Sequence, residues 1–211
     1  MIVVIDYGMG NLRSVQKALQ HLGHAAEITS DPARIASADR VVLPGVGAFG
    51  AAMRNIERPE CGNQSLKQAI LCAAASGRPF LGICLGMQLL FRESNELGCF
   101  QGLDLVPGRV RRFEFNGRAA AEELKIPHMG WNALEFPRAS LLFEGLPGGS
   151  MVYFVHSYYC IPDEAASAAA TADHGGRFCA GLESGNVFAT QFHPEKSGAV
   201  GMRILDNFAR S

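Results

Sequence analysis

The sequence predicts an α/β fold in which a mixed, largely parallel sheet lies between helices. In the first half of the 211 residues, short apolar runs alternate with segments of helical periodicity that end in glycine. From about residue 96 onward, short strand candidates follow one another with glycine and proline between them. The first pattern indicates parallel strands joined by crossover helices, and the second indicates antiparallel additions or a small second sheet.

The predicted elements follow this order along the chain. In the first half, strands are predicted at residues 2–6, 25–30, 41–43 and 79–83, and helices at residues 11–22 and 65–76. In the second half, strands are predicted at residues 105–115, 151–160, 168–172, 178–183 and 187–192, and a final helix at residues 199–209. Residues 1–211 contain no linker, repeat or low-complexity tract, so we expect a single domain.

The composition argues against a nucleic-acid or membrane role. Nineteen Lys and Arg residues balance twenty Asp and Glu residues, so no net charge attracts a polyanion or an anionic membrane. Residues 1–6 lack the basic region of a signal peptide. The longest apolar run, residues 79–91, is shorter than the ~20 residues that span a bilayer. We therefore expect a cytoplasmic protein with no membrane segment.

The six cysteines occur singly, at positions 61, 72, 84, 99, 160 and 179. No Cys-x-x-Cys pair is present, and the spacing fits neither a zinc site nor a disulfide framework. Cys72, Cys160 and Cys179 lie in apolar patterns and are expected in the core. Cys61 and Cys99 lie in loop-like surroundings, and the sequence assigns them no role.

Cys84 is placed for nucleophilic catalysis. It ends an apolar strand and precedes a helical segment, within Gly-Ile-Cys-Leu-Gly at residues 82–86. This Gly-x-Cys-x-Gly pattern is typical of a nucleophile elbow, where glycines permit a sharp turn that projects the reactive atom. Because a cysteine with an ordinary pKa of about 8.5 is only a few per cent thiolate at neutral pH, Cys84 needs a base.

A base and a carboxylate occur together in Phe-His-Pro-Glu-Lys at residues 192–196. His193 is the predicted base, and Glu195 can orient its ring and stabilise the imidazolium. An attack on an amide also creates an oxyanion that needs hydrogen-bond donors. The backbone N–H of Leu85 is one candidate, and the glycine-rich loop 45–47 is expected to supply a second.

Other motifs favour less specific roles. Glycines 45, 47 and 50 match a dinucleotide-binding pattern, but they follow the third strand and lack the acidic residue expected further on, so this alternative is disfavoured. His21 and His24 are expected on a helix surface, and His174 is expected in a solvated turn. His128 and His156 lie among aromatic and polar residues that a simple core position does not explain.

The motifs around Cys84, His193 and Glu195 resemble the catalytic triad of class I glutamine amidotransferases. Four further segments resemble the glutaminase subunits of imidazole glycerol phosphate synthase: residues 5–11, 44–47, 127–132 and 192–197. The resemblance covers essentially the whole chain and implies the three-layer αβα fold of that family. It implies hydrolysis of glutamine through a thioester on Cys84, without a metal or cofactor. It also implies a heterodimer with a cyclase subunit that uses the ammonia to make imidazole glycerol phosphate and AICAR in histidine biosynthesis.

The resemblance further assigns roles to individual positions. The oxyanion hole includes Gly47 and Leu85, and the glutamine-binding residues are Gln88, Glu96, Ser157 and Tyr158. The expected partner-facing residues are Asn11, Trp131 and Lys196. Two alternatives stay open, namely a glutaminase subunit of another amidotransferase and a cysteine hydrolase with a different substrate. A non-catalytic binding subunit is disfavoured because all three triad residues are present.

Overall fold

The computed structural model describes residues 1–58, 65–115 and 124–211. Within these ranges the strands are β1 (Ile2–Ile5), β2 (Ala26–Thr29), β3 (Arg40–Gly45), β4 (Phe80–Cys84), β5 (Phe91–Ser94), β6 (Phe100–Gln101), β7 (Val106–Arg112), β8 (His128–Leu134), β9 (Ser150–His156), β10 (Tyr158–Pro162), β11 (Ala168–Asp173), β12 (Arg177–Ser184) and β13 (Val187–Thr190). The helices are α1 (Leu12–His21), α2 (Pro32–Ser37), α3 (Phe49–Ile56), α4 (Leu66–Ala75), α5 (Leu85–Leu89) and α6 (Gly198–Arg210). Cys61 and most of the segment 114–123 lie outside the described residues.

One large mixed sheet organises the described residues. Its strand order is β2-β1-β3-β4-β13-β12-β10-β7-β5-β6, and β11 pairs with β12 beside this path. The run from β2 to β13 is parallel, as is the β5–β7 pair. The pairs involving β12 and β10 are antiparallel, and β8 pairs with β9 in a separate two-stranded sheet. The predicted α/β class is confirmed, and both kinds of antiparallel addition are present.

The large sheet separates two apolar cores, because successive residues of a strand point to opposite faces. Val3 and Ile5 belong to the core that contains buried side chains of α2, α3 and α4. Ile2 and Val4 belong to the other core, which contains buried side chains of α1, α6 and the β8–β9 sheet. The result is a helix–sheet–helix arrangement of three layers.

Strand β4 lies between β3 and β13, and it is parallel to both. All five of its residues are buried, which explains its continuous apolar sequence. In open parallel sheets, ligands bind beyond the carboxyl ends of the strands. Cys84 is the last residue of β4, so the fold places its side chain at that edge of the sheet.

The prediction of a single strand at residues 151–160 is wrong. The chain forms β9 up to His156 and β10 from Tyr158, and these strands belong to different sheets. At the crossing, the carbonyl oxygen of Ser157 accepts a hydrogen bond from the N–H of Phe113, at 3.0 Å. Neither glycine nor proline marks this break, so the periodicity of the sequence gives no sign of it.

Two further differences concern local features. Strand β8 and helix α3 are among the elements that the patterns did not predict, although both are well formed. Cys72 is exposed, and its predicted core position is wrong, whereas Cys160 and Cys179 are buried as predicted. No helix within the described residues combines the length and apolar character that crossing a bilayer requires.

Candidate active site

Cys84 occupies a sharp turn between β4 and α5. Its backbone angles are φ 56° and ψ −110°, and a positive φ is uncommon for a residue other than glycine. A Cβ at Gly86 would lie 1.8 Å from the carbonyl oxygen of Leu43, and a Cβ at Gly82 would lie 2.9 Å from the carbonyl oxygen of Gly86. Both glycines are therefore required by close backbone packing, as the elbow pattern predicted.

His193 and Glu195 form a buried pair near this turn. The Nδ1 atom of His193 lies 2.9 Å from Oε1 of Glu195, and their side chains are only 2% and 1% exposed. The loop that carries them is held by Ser197, whose hydroxyl donates to the His193 carbonyl at 2.6 Å and accepts from the N–H of Tyr153 at 3.0 Å. The local turn at Pro194–Lys196 brings the imidazole and the carboxylate to the same side.

The charge state of His193 follows from its neighbours. Burial lowers the pKa of His193, but interaction with Cys84 and Glu195 raises it more strongly, to about 10. Its Nε2 atom is buried and has no hydrogen-bond partner of good geometry among the described residues. His193 lines the same cleft as Cys84, so this unpartnered nitrogen is available to exchange a proton with a group bound there.

A cleft of about 300 Å³ brings most of the predicted site residues together. Its lining comprises Val46, Gly47, Cys84, Leu85, Gln88, Glu96, Pro127, Val155, His156, Ser157, Tyr158 and His193. Thus every predicted catalytic, oxyanion and glutamine-binding residue except Glu195 faces one cavity, and Glu195 lies behind His193. The volume is that of a small-molecule site.

Gln88 has both of its amide hydrogens committed within the protein. Its Nε2 donates to the carbonyl oxygen of Tyr158 at 3.0 Å and to Oε1 of Gln191 at 3.1 Å. Gln191 in turn directs its own Nε2 at the sulfur of Cys84, at 3.9 Å. Gln88 can therefore offer the cleft only its carbonyl oxygen, which accepts hydrogen bonds.

Glu96 also lines the cleft. One of its carboxylate oxygens accepts a hydrogen bond from the N–H of Phe49 at 2.6 Å, at the start of α3. The N–H of Glu96 is itself bonded to Ser94 Oγ at 3.2 Å. These contacts fix the carboxylate in the cleft, where its second oxygen provides an anionic acceptor.

The glycine-rich loop after β3 approaches the elbow closely. A Cβ at Gly45 would lie 2.5 Å from the Tyr7 hydroxyl and 2.8 Å from Cβ of Leu85. Gly47 has φ +96°, a conformation that side-chain-bearing residues rarely adopt. Tyr7 packs behind the loop, its hydroxyl is buried without a partner among the described residues, and burial together with the charge of Cys84 raises its pKa.

The three predicted partner-facing residues differ in their surroundings. Trp131 is 54% exposed and Lys196 is exposed. Asn11 is half-buried, and its Nδ2 donates to Oε1 of Glu195 at 3.3 Å. Asn11 thus contacts the triad carboxylate directly, a contact that no local sequence pattern indicated.

Sequence reasoning missed some members of the site. Gln191 and His156 both approach it, yet neither was given a role. The available signal was the unexplained polar content of the aromatic segments around His128 and His156. His174 lies in a turn, as expected, but it is only half-exposed, because its ring stacks on that of His128 at a centroid distance of 4.1 Å.

No group of three or more His, Cys, Asp or Glu side chains within the described residues is arranged to hold a metal ion. The site chemistry consists of a thiol, an imidazole, carboxylates, amides and backbone donors. This set suits acyl transfer through a covalent intermediate.

Comparison with known proteins places the chain in a family. Residues 3–211 match the class I glutamine amidotransferase family. The chain is 55% identical to the imidazole glycerol phosphate synthase subunit HisH of Syntrophotalea carbinolica, over 99% of this chain and 98% of that protein. It is 52% identical to the HisH subunit of Geobacter metallireducens, over 100% of this chain and 98% of that protein.

Solved structures show the same fold at low identity. The structure of PurLQS from Thermotoga maritima superposes with a TM-score of 0.69 at 19% identity, covering 99% of this chain and 97% of that one. A structure described as a glutamine amidotransferase gives a TM-score of 0.69 at 18% identity, covering 100% of both chains. The chain belongs to the class I glutamine amidotransferase family and, within it, to the HisH subunits of imidazole glycerol phosphate synthase.

Proposed function

We propose that this chain hydrolyses glutamine to glutamate and ammonia through a thioester on Cys84. The ammonia is passed to a cyclase subunit that makes imidazole glycerol phosphate and AICAR in histidine biosynthesis. The observation that carries the proposal is the placement of the Cys84 elbow and the buried His193–Glu195 pair at one small cleft. Residues 1–211 act as one glutamine amidotransferase domain in this proposal.

The reaction begins with proton transfer. In the proposed resting state, the Cys84 proton resides on His193, in keeping with the raised pKa of that ring. The thiolate attacks the amide carbon of glutamine, and the carbonyl oxygen becomes an oxyanion. The backbone N–H groups of Leu85 and Gly47 are the proposed donors to it, and losing one such donor typically costs about 10²–10³ in rate.

Ammonia leaves when the tetrahedral intermediate collapses. Nε2–H of His193 protonates the departing nitrogen, and the carbon–nitrogen bond breaks to leave the thioester. His193 then removes a proton from water, whose oxygen attacks the thioester carbon. Collapse of the second oxyanion breaks the carbon–sulfur bond, releases glutamate and restores the Cys84 thiolate beside a protonated imidazole. Glu195 accepts from Nδ1–H throughout and so directs Nε2 toward the cleft.

The polar ends of glutamine need complementary groups. We assign its ammonium to the Glu96 carboxylate and to the carbonyl oxygen of Gln88, because both are acceptors that line the cleft. Ser157 and Tyr158 line the remaining wall and are assigned to the α-carboxylate end. A free amino acid carries both charges, which distinguishes this pocket from that of a peptidase.

The partner is assigned to the outer face of the β8–β9 sheet. Met129 and Trp131 lie on alternate positions of β8 and are 62% and 54% exposed, and large apolar side chains of this kind are enriched in interfaces. Lys196 and Asn11 extend this face toward the triad. We propose a cytoplasmic setting, since the five described cysteines are free thiols, as a reducing compartment favours.

A glutaminase assay tests the proposal. Glutamate release is measured for the full chain alone and with a purified cyclase subunit that carries its nucleotide substrate. We expect turnover of free glutamine, no cleavage of peptides, and stimulation by this cyclase but not by other synthases. Cys84→Ala should lose at least about 10³-fold in rate, and Cys99→Ala, which removes an exposed thiol, serves as the matched control. Persistent glutamate release by Cys84→Ala would reject the nucleophile.

A further inference from the structure

A continuous chain of hydrogen bonds connects the β8–β9 sheet with the sulfur of Cys84. It begins at Asn132 on β8, whose Nδ2 lies 3.2 Å from Nε2 of His128. Nδ1 of His128 lies 3.1 Å from Nε2 of His156 on β9, and Nδ1 of His156 lies 2.8 Å from the carbonyl oxygen of Tyr158 on β10. The chain thus crosses from the small sheet to the large one.

The direction of each bond is determined by the last acceptor. A carbonyl oxygen can only accept, so Nδ1 of His156 must carry a proton and donate to Tyr158. In the neutral ring, Nε2 of His156 then accepts, and Nδ1 of His128 must donate to it. Nε2 of His128 accepts in turn from the amide of Asn132. Both rings are therefore neutral Nδ1–H tautomers, and each ring nitrogen has one defined partner.

Burial favours the neutral state of both rings. It lowers the pKa of His156 to about 3, and burial together with the charge of His174 lowers the pKa of His128 to about 4. Aromatic side chains surround the pair, with the ring of Phe154 stacked on His128 at a centroid distance of 4.7 Å. Phe178 contacts both rings edge-on or tilted, at 5.7 Å from His128 and 5.3 Å from His156.

Beyond Tyr158, the chain of hydrogen bonds continues to Cys84. The Tyr158 carbonyl also accepts from Nε2 of Gln88, so two donors hold this single oxygen. The second amide hydrogen of Gln88 is donated to Oε1 of Gln191, which leaves Nε2 of Gln191 directed at Cys84. The Tyr158 carbonyl thus fixes the orientation of the Gln88 amide, and the Gln88 amide fixes the orientation of the Gln191 amide. A polar path in an apolar cluster is costly unless its members are paired, and here each of the four ring nitrogens and the Tyr158 carbonyl has a hydrogen-bond partner.

We propose that His128 and His156 are positioning residues that hold the Tyr158 carbonyl, and through it Gln88 and Gln191, in place against the Cys84 sulfur. The inference rests on the proposed function in one respect, namely that Cys84 is the nucleophile. Asn132 and Trp131 are adjacent on β8, so their side chains point to opposite faces of that strand. A partner bound over Trp131 therefore contacts the strand whose other face carries Asn132, the first residue of the hydrogen-bond chain.

Two variants of His128 separate positioning from simple packing. His128→Leu fills the space but removes the donor to His156. His128→Asn retains an amide N–H that takes the place of the ring Nδ1–H. The test measures the rate at which iodoacetamide alkylates Cys84 at pH 7, located by mass spectrometry, together with kcat and KM for glutamine in the complex with the cyclase subunit.

We expect His128→Leu to slow alkylation of Cys84 about three- to tenfold. The reason is that the amide of Gln191 is no longer held in place as a hydrogen-bond donor to the thiolate. This variant should also raise KM by a similar factor through displacement of Gln88. His128→Asn should remain within about threefold of the parent in both measurements. A folded His128→Leu chain with an unchanged Cys84 alkylation rate and unchanged KM would overturn the inference.

The tautomers provide a second test that needs no variant. Nitrogen-15 spectra of the full chain labelled in histidine should show His128 and His156 as neutral Nδ1–H rings at pH 7. An Nε2–H tautomer at either ring would overturn the inference even if His128→Leu fails to fold. Alkylation and spectra are independent of turnover, so absence of glutamine hydrolysis in the parent would reject the proposed function without deciding these results.

Discussion

Asn11 and Glu195 are joined by a hydrogen bond across 184 positions of sequence, from Nδ2 to Oε1 at 3.3 Å. The same carboxylate oxygen lies 2.9 Å from Nδ1 of His193, so the imidazole and the amide share it. Asn11 is anchored in turn by Ser14, whose hydroxyl donates to its Oδ1 at 2.7 Å. The start of α1 therefore supports the base, and Asn11 is one hydrogen bond away from the triad carboxylate.

Glu195→Gln is expected to lower kcat by about 10²–10⁴-fold with the fold intact, because the ring of His193 loses its orienting charge. Glu195 is one of the groups that raise the pKa of His193, so the variant should also move the alkaline limb of kcat/KM to lower pH. The measurement is a pH–rate profile for glutamine hydrolysis. Asn11→Ala, which removes only one donor to Oε1, should have a smaller effect. An identical profile for Glu195→Gln and the parent would mean that the carboxylate is only structural.

Gly86→Ala is expected to destabilise the protein severely. The new Cβ would meet the carbonyl oxygen of Leu43 at 1.8 Å, and this oxygen belongs to the backbone of β3, which cannot yield easily. Overpacking of this kind costs about 3 kcal/mol or more, which corresponds to a Tm lower by roughly 6–12 °C in a chain of this size. Gly148→Ala is the control, since its nearest neighbour is the flexible end of Glu135 at 3.2 Å. Equal Tm values for the two variants, measured by calorimetry, would contradict the packing argument.

Mild acid is expected to weaken the fold through His128 and His156. Their folded-state pKa values are lowered, to about 4 and about 3, whereas both rings have a pKa near 6.5 when unfolded. Between these limits the unfolded chain binds more protons, so stability falls as the pH falls. Each ring should contribute a loss of about 2 kcal/mol between pH 7 and pH 5. Urea unfolding at both pH values checks this, and His128→Leu should show a clearly smaller loss than the parent. If both proteins lost the same free energy of unfolding between pH 7 and pH 5, His128 would be excluded as a cause of the acid sensitivity.

Trp131→Ala is expected to weaken binding of the cyclase subunit about tenfold or more, because a large exposed aromatic side chain commonly anchors an interface. Glutamine hydrolysis by the isolated chain should be unaffected, since Trp131 does not line the cleft. Leu141→Ala is the matched control, because Leu141 is 58% exposed but lies outside the β8–β9 sheet. Titration calorimetry gives the two dissociation constants, and equal values would place the interface elsewhere.

The sequence predicted the elements whose signals are local. The strand–Cys84–helix order, the need for Gly82 and Gly86, and the two-residue spacing of His193 and Glu195 all depend on neighbours in sequence, and the structure contains each of them. The crossing at Ser157 could not be predicted, because both flanking segments have the same strand-like composition. Their assignment to different sheets depends on pairing with residues far away in the chain.

Contacts between distant side chains were the other source of error. The roles of Gln191 and His156 depend on partners that lie 107 positions away for Gln191 and 28 positions away for His156. Cys72 illustrates the converse case, since its helix has apolar residues on more than one face and pattern alone did not show which face is buried. Exposure of that thiol follows from how α4 packs, which composition does not reveal.

The passage of the chain through Ser157 has a mechanical consequence. His156 ends one sheet and Tyr158 begins the other, and both line the same cleft. The width of the cavity is consequently linked to the tilt of the small sheet against the large one. The substrate pocket therefore spans the junction of the two sheets, and its shape depends on how the small sheet is placed against the large one.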